Sequence, residues 1–416
     1  MVTVEQGEPC YALAVSAPSH PRNATVPLLS AFDEQDKNFA CAFSILQQAI
    51  GQRAFPAASV AVTRNGQLIA LKSFGSFVYE THSADTPLLA SFARNGNLDS
   101  LSSAYIFDLA SLTKPIATTT MAAILYQRGH LELDAPVIGT LPEFRSASDA
   151  RRDEVTVHML LSHSSGLPAY EKLFQKARSR DELLQAALAT PLTAHPGTRA
   201  EYSDIGFILL GIALERLSGE SLDVFCQREI FGPVAMSNTT FNPPEGIRPR
   251  IPPTADERVE AITGQPTPRS TFRNRIIQGE VQDENASVLG GVAGHAGLFS
   301  TANDLAIFAS SMLNGGSPIL RPETVVLFTR RQSAPAGTSR ALGWDTPSTP
   351  SQSGKYFGPN SYGHLGYTGT SLWIDPDRQL SITLLTNRTW PDCSNQTIKQ
   401  VRPIFHDAII EALLQE

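Results

Sequence analysis

The sequence predicts an α/β protein: one antiparallel sheet flanked by helices, with an all-helical domain inserted. Three observations carry this reading. Strand-like runs surround Asn65-Gly66 near the start of the chain and return between Ser371 and Arg388 near its end. A helical, irregular block lies between them, from about residue 136 to 287. The order ends in strands and a helix, with no internal repeat. The simplest packing therefore joins both groups of strands in one sheet with helices on its faces.

Residues 1–31 show no clear period and read as an arm. Phe39, Phe43, Leu46 and Ile50 follow at helical spacing and define one apolar face. ASVAVTR and QLIALKSFG flank Asn65-Gly66, the dipeptide that best accommodates the positive φ angles of a tight hairpin. A Ser/Asn-rich loop leads to the short strand-like run Tyr105-Ile106-Phe107. DLASLTKPIATTTMAAILYQRG then reads as an apolar helix closed by Gly129.

In the middle block, VTVHMLLSH, DELLQAALA, DIGFILLGIALERLSG and SLDVFCQREIF read as helices. Asn242 to Gly279 is rich in Pro and Arg and reads as a long structured excursion. TANDLAIFASSMLNGG and PETVVLFTRR return to helical pattern. TSLWIDPDRQLSITLLTNR gives two strands around a Pro-Asp turn, and IKQVRPIFHDAIIEALLQE closes the chain as a helix. The expected organisation is an arm (1–31), a discontinuous α/β domain (32–135 plus 288–416) and a helical insertion (136–287).

The composition narrows the function classes. With 416 residues, 42% apolar and 18% charged, the chain has material for a large core and is not globally disordered. A net charge of −7 without long like-charge runs excludes nucleic acid as the main partner. Cys10, Cys41, Cys226 and Cys393 lie far apart with no C-x-x-C pair, which reads as buried free thiols. One disulfide is compatible with export. No apolar run reaches the roughly 18 residues of a spanning helix. The first residues lack the basic-then-apolar pattern of a secretion leader. The expectation is thus cytoplasmic, or periplasmic or otherwise extracytoplasmic if a leader has been removed.

Three constellations bear chemistry. Ser111-Leu112-Thr113-Lys114 places a hydroxyl and an amine three residues apart, on one face of a helical turn. Pro115 belongs in a first turn, which sets Ser111 at the helix N-terminus, where developing negative charge is favoured. A lysine near other cations or partly desolvated loses pKa and can act as a base. Tyr202-Ser203-Asp204 opens the next apolar helix, with Asp204 as a candidate cap. His364-Leu365-Gly366 leads into a strand, and glycines at 363, 366 and 369 mark close approach by another backbone or a ligand.

In this order and spacing, the three motifs resemble those of the serine β-lactamase and penicillin-binding-protein superfamily. The resemblance is strongest to its class C-like branch of esterases, D-amino-acid peptidases and cell-wall amidases. FDLASLTKP, LLSHSSGLP, EYSDIGFILLG, GGVAGHAGLFSTANDLAIF and GHLGYTGTSLWIDP all look like segments of that branch, from about Phe107 to Pro376. The fold it implies is β-lactamase-like.

The resemblance implies that Ser111 is the acylated nucleophile and that Lys114 shares or takes its proton. Tyr202 would serve as general base and then protonate the leaving group, its pKa lowered by Lys114. The N–H groups of Ser111 and Tyr367 would form the oxyanion hole. Asp204, His364, Gly366 and His295 are the expected substrate contacts. Two departures stand out. The family's Lys-Thr-Gly strand motif here begins with His364, a weaker and pH-dependent cation. Asp204 stands where many relatives have Asn, and an ionised carboxylate cannot donate a hydrogen bond.

The resulting expectation is a serine hydrolase acting through an acyl-enzyme on a peptidoglycan-type amide or small ester, with weak or no β-lactamase activity. An acyltransferase, or a non-catalytic penicillin- or peptide-binding protein on the same scaffold, are the alternatives. The expected partner is a small-molecule or peptide-like substrate, with no cofactor or metal. His295 either lines the pocket or is packed. Asp283 and Glu284 are poor metal-ligand evidence beside it. His163 reads as a structural turn residue, and Arg269, Arg273 and Arg275 read as a solvated face.

Overall fold

The computed structural model describes residues 28–79, 104–258 and 272–415. Residues 1–27 of the expected arm, most of the Ser/Asn-rich loop, Cys10 and Arg269 lie outside the described residues. In chain order the strands are β1 (Leu29–Ser30), β2 (Ala57–Arg64), β3 (Gln67–Gly75), β4 (Phe107–Asp108), β5 (Thr240–Phe241) and β6 (Ala255–Asp256). Then come β7 (Ile276–Ile277), β8 (Leu298–Ser300), β9 (Tyr362–Leu365), β10 (Ser371–Asp375) and β11 (Leu380–Thr386).

The main sheet has six strands in the order β1-β3-β2-β11-β10-β9. N- and C-terminal strands meet at β2 and β11, antiparallel from Arg64↔Leu380 to Ala58↔Thr386. The β2–β3 hairpin turns on Asn65 and Gly66, with φ of 52° and 75°. Both central residues are left-handed, as a two-residue type I′ turn requires. Every pairing is antiparallel except β1, which runs parallel to β3 from Leu29↔Gln67. The end of the expected arm thus contributes an edge strand.

The sheet divides two apolar cores by simple alternation. Ala58, Val60 and Val62 of β2 face Phe43, Leu46, Phe405 and Ile409. Their neighbours Ala57 and Ala61 face the other way, into the core that holds Ile116, Leu305 and Phe308. The helices Ala40–Gly51 and Ile398–Leu414 cover the first face. Phe39, Phe43 and Leu46 are buried there as the periodicity predicts, each burial contributing about 1.5–3 kcal/mol.

The middle block carries the helices Val157–Leu161, Arg180–Ala189, Asp204–Ser218 and Leu222–Cys226. It is not purely helical, because β5, β6 and β7 also lie in it. β5 joins β8 and β4 in a three-stranded sheet that ties the block to the α/β part. β6 and β7 pair within the Pro/Arg-rich excursion. Arg273, expected on a solvated face, is instead buried and paired to the buried Glu257 at 2.7 Å. Arg275 stays at the surface, where it meets Glu280. The expectation of buried thiols holds for Cys226, whereas Cys41 is exposed and Cys393 is half-buried. Among the described residues no helix is long and apolar enough to cross a membrane.

Candidate active site

The segment expected as one helix forms three pieces: a 3₁₀ turn (Ala110–Leu112), a π-helical stretch (Lys114–Thr119) and an α-helix (Thr120–Gln127). Ala110, just before Ser111, has φ 47°, a left-handed conformation that costs a non-glycine residue about 1–3 kcal/mol. Three bonds hold it there. Asp108 accepts from the N–H of Ala110 at 2.8 Å and of Gln282 at 2.6 Å, and Thr113 Oγ1 donates to the Ala110 carbonyl at 2.7 Å. Burial raises the Asp108 carboxyl to about 6 even against those amide donors.

Lys114 lies beneath Ser111 and is wholly buried. Its Nζ donates to Ser111 Oγ at 3.0 Å and to the His295 carbonyl at 2.9 Å. The same Nζ is 2.6 Å from Asp204 Oδ1 and 4.9 Å from the centre of the Tyr202 ring. Burial works against the ammonium charge, but Asp204 and Tyr202 outweigh it, and the pKa stands above the ordinary lysine value. Lys114 is therefore a cation at rest and not a free proton acceptor. Asp204, expected to meet substrate, spends its carboxylate on this ion pair. Nor does it cap its helix: Ser203 Oγ does, accepting from the Gly206 N–H at 3.0 Å.

Tyr202 donates its hydroxyl to Ser111 Oγ at 2.7 Å. Its backbone is fixed by His163, whose Nδ1 accepts from the Ser203 N–H at 3.0 Å and whose ring lies 4.8 Å from that of Tyr202. Burial keeps His163 well below the usual histidine range, so it is neutral. The structural turn reading of His163 fits this geometry. Burial, then Asp204, push the Tyr202 phenol up to about 12, outweighing Lys114 and the Ser111 bond. Lys114 does lower it, as expected, but burial and then Asp204 outweigh that pull, so the net shift is upward.

The opposite wall is the β9 edge and the turn into β10. Thr368 Oγ1 donates to the Asp108 carbonyl at 2.7 Å, and Thr370 Oγ1 to the Leu109 carbonyl at 2.9 Å. A Cβ on Gly366 would fall 1.9 Å from Thr370 Oγ1 and 2.4 Å from the Leu109 oxygen, so only glycine fits. This lacing fastens the turn that carries Tyr367 to the segment just before Ser111. Among the described residues neither donates to a protein acceptor. The Tyr367 side chain is half exposed and packs on Arg388, 4.3 Å from ring centre to guanidinium.

His364 is buried, not a solvent-exposed cation. Its Nδ1 sits 2.8 Å from the Leu365 carbonyl, so that nitrogen carries the hydrogen and Nε2 is a bare acceptor. Burial, Lys114 and Arg340 hold its pKa well below the usual range. The pH-dependent charge expected of His364 is absent near neutrality. His295 is also buried, with Nε2 2.9 Å from Asp283 Oδ1. Asp283 caps the Glu284–Val288 helix through the Ala286 N–H at 2.7 Å. Among the described residues no cluster of three His, Cys, Asp or Glu side chains could hold a metal.

A cavity of about 1080 Å³ is lined by Ser111, Tyr202, Asp204, His295, His364 and Tyr367, with Gly366 beside them. With Lys114 underneath, every candidate residue gathers at one place. Arg340 was not predicted: its guanidinium lies 5.5 Å from the Tyr202 ring centre and 3.7 Å from Asp345. No local motif marks it, since only the fold brings that loop over Tyr202.

Residues 42–401 match the family described as Beta-lactamase. The chain is 35% identical over 355 residues to an N-acetylmuramyl-L-alanine amidase of Bacillus subtilis (strain 168), covering 80% of this chain and 77% of that protein. It is 33% identical over 309 residues to a putative D-alanyl-D-alanine carboxypeptidase of Escherichia coli (strain K12), covering 68% and 69%. Among solved structures, EstCE1, "a hydrolase with promiscuous acyltransferase activity", superposes with a TM-score of 0.69 at 20% identity, covering 90% of this chain and 99% of that one. The chain belongs to the β-lactamase family and is a serine hydrolase of that family.

Proposed function

We propose that the protein cleaves a peptidoglycan-type amide or small ester through an acyl-enzyme on Ser111, with weak or no activity on β-lactams. The observation that carries this reading is the double donation to one oxygen: Tyr202 OH at 2.7 Å and Lys114 Nζ at 3.0 Å both meet Ser111 Oγ.

In the first half-reaction the substrate carbonyl oxygen lies between the Ser111 and Tyr367 N–H groups. Two such donors are typically worth a few kcal/mol each in the transition state. Ser111 Oγ bonds to the carbonyl carbon. Its proton passes to the Tyr202 oxygen while the Tyr202 proton passes to the leaving nitrogen or oxygen. Tyr202 ends neutral, as it began, which suits a phenol whose pKa is pushed up to about 12. Lys114 stays charged and stabilises negative charge on both oxygens during the transfer. Water then releases the acyl group.

Two features disfavour β-lactams. Where β-lactamases place a lysine, His364 is neutral, and Asp204 is committed to Lys114. The cavity, at about 1080 Å³, has room for a peptide-like substrate. The relatives' names supply the cell-wall substrate class, and a wall substrate would require the protein to act outside the cytoplasm. The acyltransferase activity ascribed to EstCE1 favours acyl transfer to an alcohol or amine as a second reading. A panel of muramyl peptides, D-Ala-D-Ala peptides, D-amino-acid amides, nitrophenyl esters and nitrocefin, ranked by kcat/KM, tests the assignment. Muramyl peptides or esters should lead and nitrocefin should trail. Nitrocefin in first place would overturn it.

A further inference from the structure

Among the described residues only three aromatic side chains are exposed, Tyr170, Phe272 and Tyr367, and all three line the cavity that holds Ser111. Single apolar residues scattered over a surface need no explanation, but exposed rings that converge on one cavity mark a ligand face. Resting on the acyl-enzyme reading, we propose that these rings form a subsite for an uncharged sugar ring, carried by the substrate close to its scissile carbonyl.

The rings are held in place. Tyr170 rides on a segment pinned at both ends. On one side the Asp204 N–H donates to the Ala169 carbonyl at 2.8 Å, and Ser203 Oγ donates to that of Pro168 at 2.7 Å. On the other side the buried Asn285 donates to the Glu171 carbonyl and accepts from the Phe174 N–H, both at 2.9 Å. Phe272 meets Phe174 edge-on, with ring centres 5.1 Å apart. Tyr367 lies on Arg388, whose Nε also donates to the Tyr367 carbonyl at 2.7 Å. Anchored aromatic faces lose little conformational freedom when a ligand covers them.

The charges around the rings select the occupant. Partial burial, then Asp283, Glu284 and Asp204, push the Tyr170 phenol above its ordinary range, so it stays a neutral hydroxyl that donates and accepts. An anionic group on this face would meet those carboxylates. A cationic group would meet Arg388, already on the Tyr367 ring, and Lys172, which lines the same cavity. A plain hydrocarbon group would cover the carboxylates without offering them a hydrogen bond, which is costly. A pyranose meets every condition. Its C–H face, slightly positive, lies on the negative face of an aromatic ring, and its hydroxyls donate to the carboxylates beside Tyr170.

The subsite lies next to the reacting centre. Asp204, which holds the Tyr170 segment, also pairs with Lys114 at 2.6 Å beneath Ser111. Tyr367 supplies one of the rings and also the N–H assigned to the carbonyl oxygen of the substrate. A sugar on these rings is therefore joined to the scissile carbonyl by only a few bonds. The substrate class narrows to a glycopeptide amide, in preference to a bare peptide or a small ester.

Two amides that differ only in the sugar test this: N-acetylmuramyl-L-alanyl-D-isoglutamine and D-lactyl-L-alanyl-D-isoglutamine, with release of the dipeptide followed by chromatography. The wild type should favour the muramyl amide by about 10²-fold or more in kcat/KM. Tyr170→Ala should cut that ratio about tenfold or more, mainly through the KM of the muramyl amide, and Tyr170→Phe should keep most of it. Should the alanine variant fail to fold, Phe272→Ala should lower the ratio in the same direction. The proposal is overturned if the wild type cleaves both amides equally, or if a folded alanine variant keeps the wild-type ratio. It is also overturned if Tyr170→Ala slows both amides alike, the pattern of a role felt only through Asp204. A lactyl peptide bearing lysine that outpaces the muramyl amide would give the rings to a cation and overturn it too, as would ester turnover with neither amide cleaved. A wild-type protein that neither turns over esters nor forms any adduct on Ser111 would instead overturn the acyl-enzyme reading itself.

Discussion

The two walls of the cleft are built on opposite principles. On the helical wall two basic groups have a carboxylate: Lys114 has Asp204 and His295 has Asp283. On the strand wall His364 and Arg388 meet carbonyl oxygens instead, at Leu365 and Tyr367. Pairing fixes charge and position before substrate arrives, which suits groups that stabilise developing charge. The strand wall leaves the His364 Nε2 and the Tyr367 N–H without protein partners among the described residues, which suits groups that receive substrate.

Breaking the paired wall should have the largest effect. Tyr202→Phe removes the hydroxyl 2.7 Å from Ser111 Oγ and should lower ester kcat/KM by about 10²–10⁴-fold, measured by steady-state kinetics. Wild-type rates would remove Tyr202 from the proton path.

Asp108 tests the same logic under the nucleophile, because backbone N–H groups hold this carboxylate in place of a salt bridge. Its pKa is about 6 folded against an ordinary 3.8, so the folded state binds the extra proton between those values. That contribution is fully present below about pH 4 and lost as pH rises through 6. It amounts to about 3 kcal/mol. Urea denaturation across this window should show the decline, and the Asp108→Asn difference curve should show it removed. A variant that tracks the wild type at every pH would refute the assignment.

Asp204→Asn sharpens the comparison by unpairing Lys114. Burial would then act on the ammonium with less opposition, and Tyr202 would lose the carboxylate that raises it. Both groups should titrate lower, and the alkaline limb of kcat/KM should move down by roughly one pH unit or more. An unmoved limb would show that Asp204 does not set these charges. The smallest effect is on the open wall. His364→Lys should raise nitrocefin hydrolysis by about 10- to 10²-fold at most, the worth of one charge-assisted hydrogen bond. A larger gain would mean that His364 alone excludes β-lactams.

What the sequence made legible follows from local rules. The Asn65-Gly66 hairpin, the Phe39-Phe43-Leu46 face and the meeting of Ser111 with Lys114 depend on period and turn chemistry. The joining of β2 to β11 follows from burying both strand groups in one sheet. The π-helical stretch after Ser111 was not legible, since its helical type depends on packing around Lys114. The true partner of Asp204 depends on a carboxylate and an ammonium meeting in three dimensions, and the upward shift of Tyr202 depends first on its burial. Arg340 reaches Tyr202 only through the fold. Arg273 looked solvated because its partner Glu257 lies across the excursion, beyond any helical spacing.

The central claim is that Ser111 carries the acyl group, and mass spectrometry of the intact protein tests it most directly. After incubation with an active-site fluorophosphonate, the wild type should gain one adduct that maps to Ser111, and Ser111→Ala should gain none while losing ester turnover. An active wild-type enzyme that stays unmodified, or an adduct that persists in Ser111→Ala, would contradict the account.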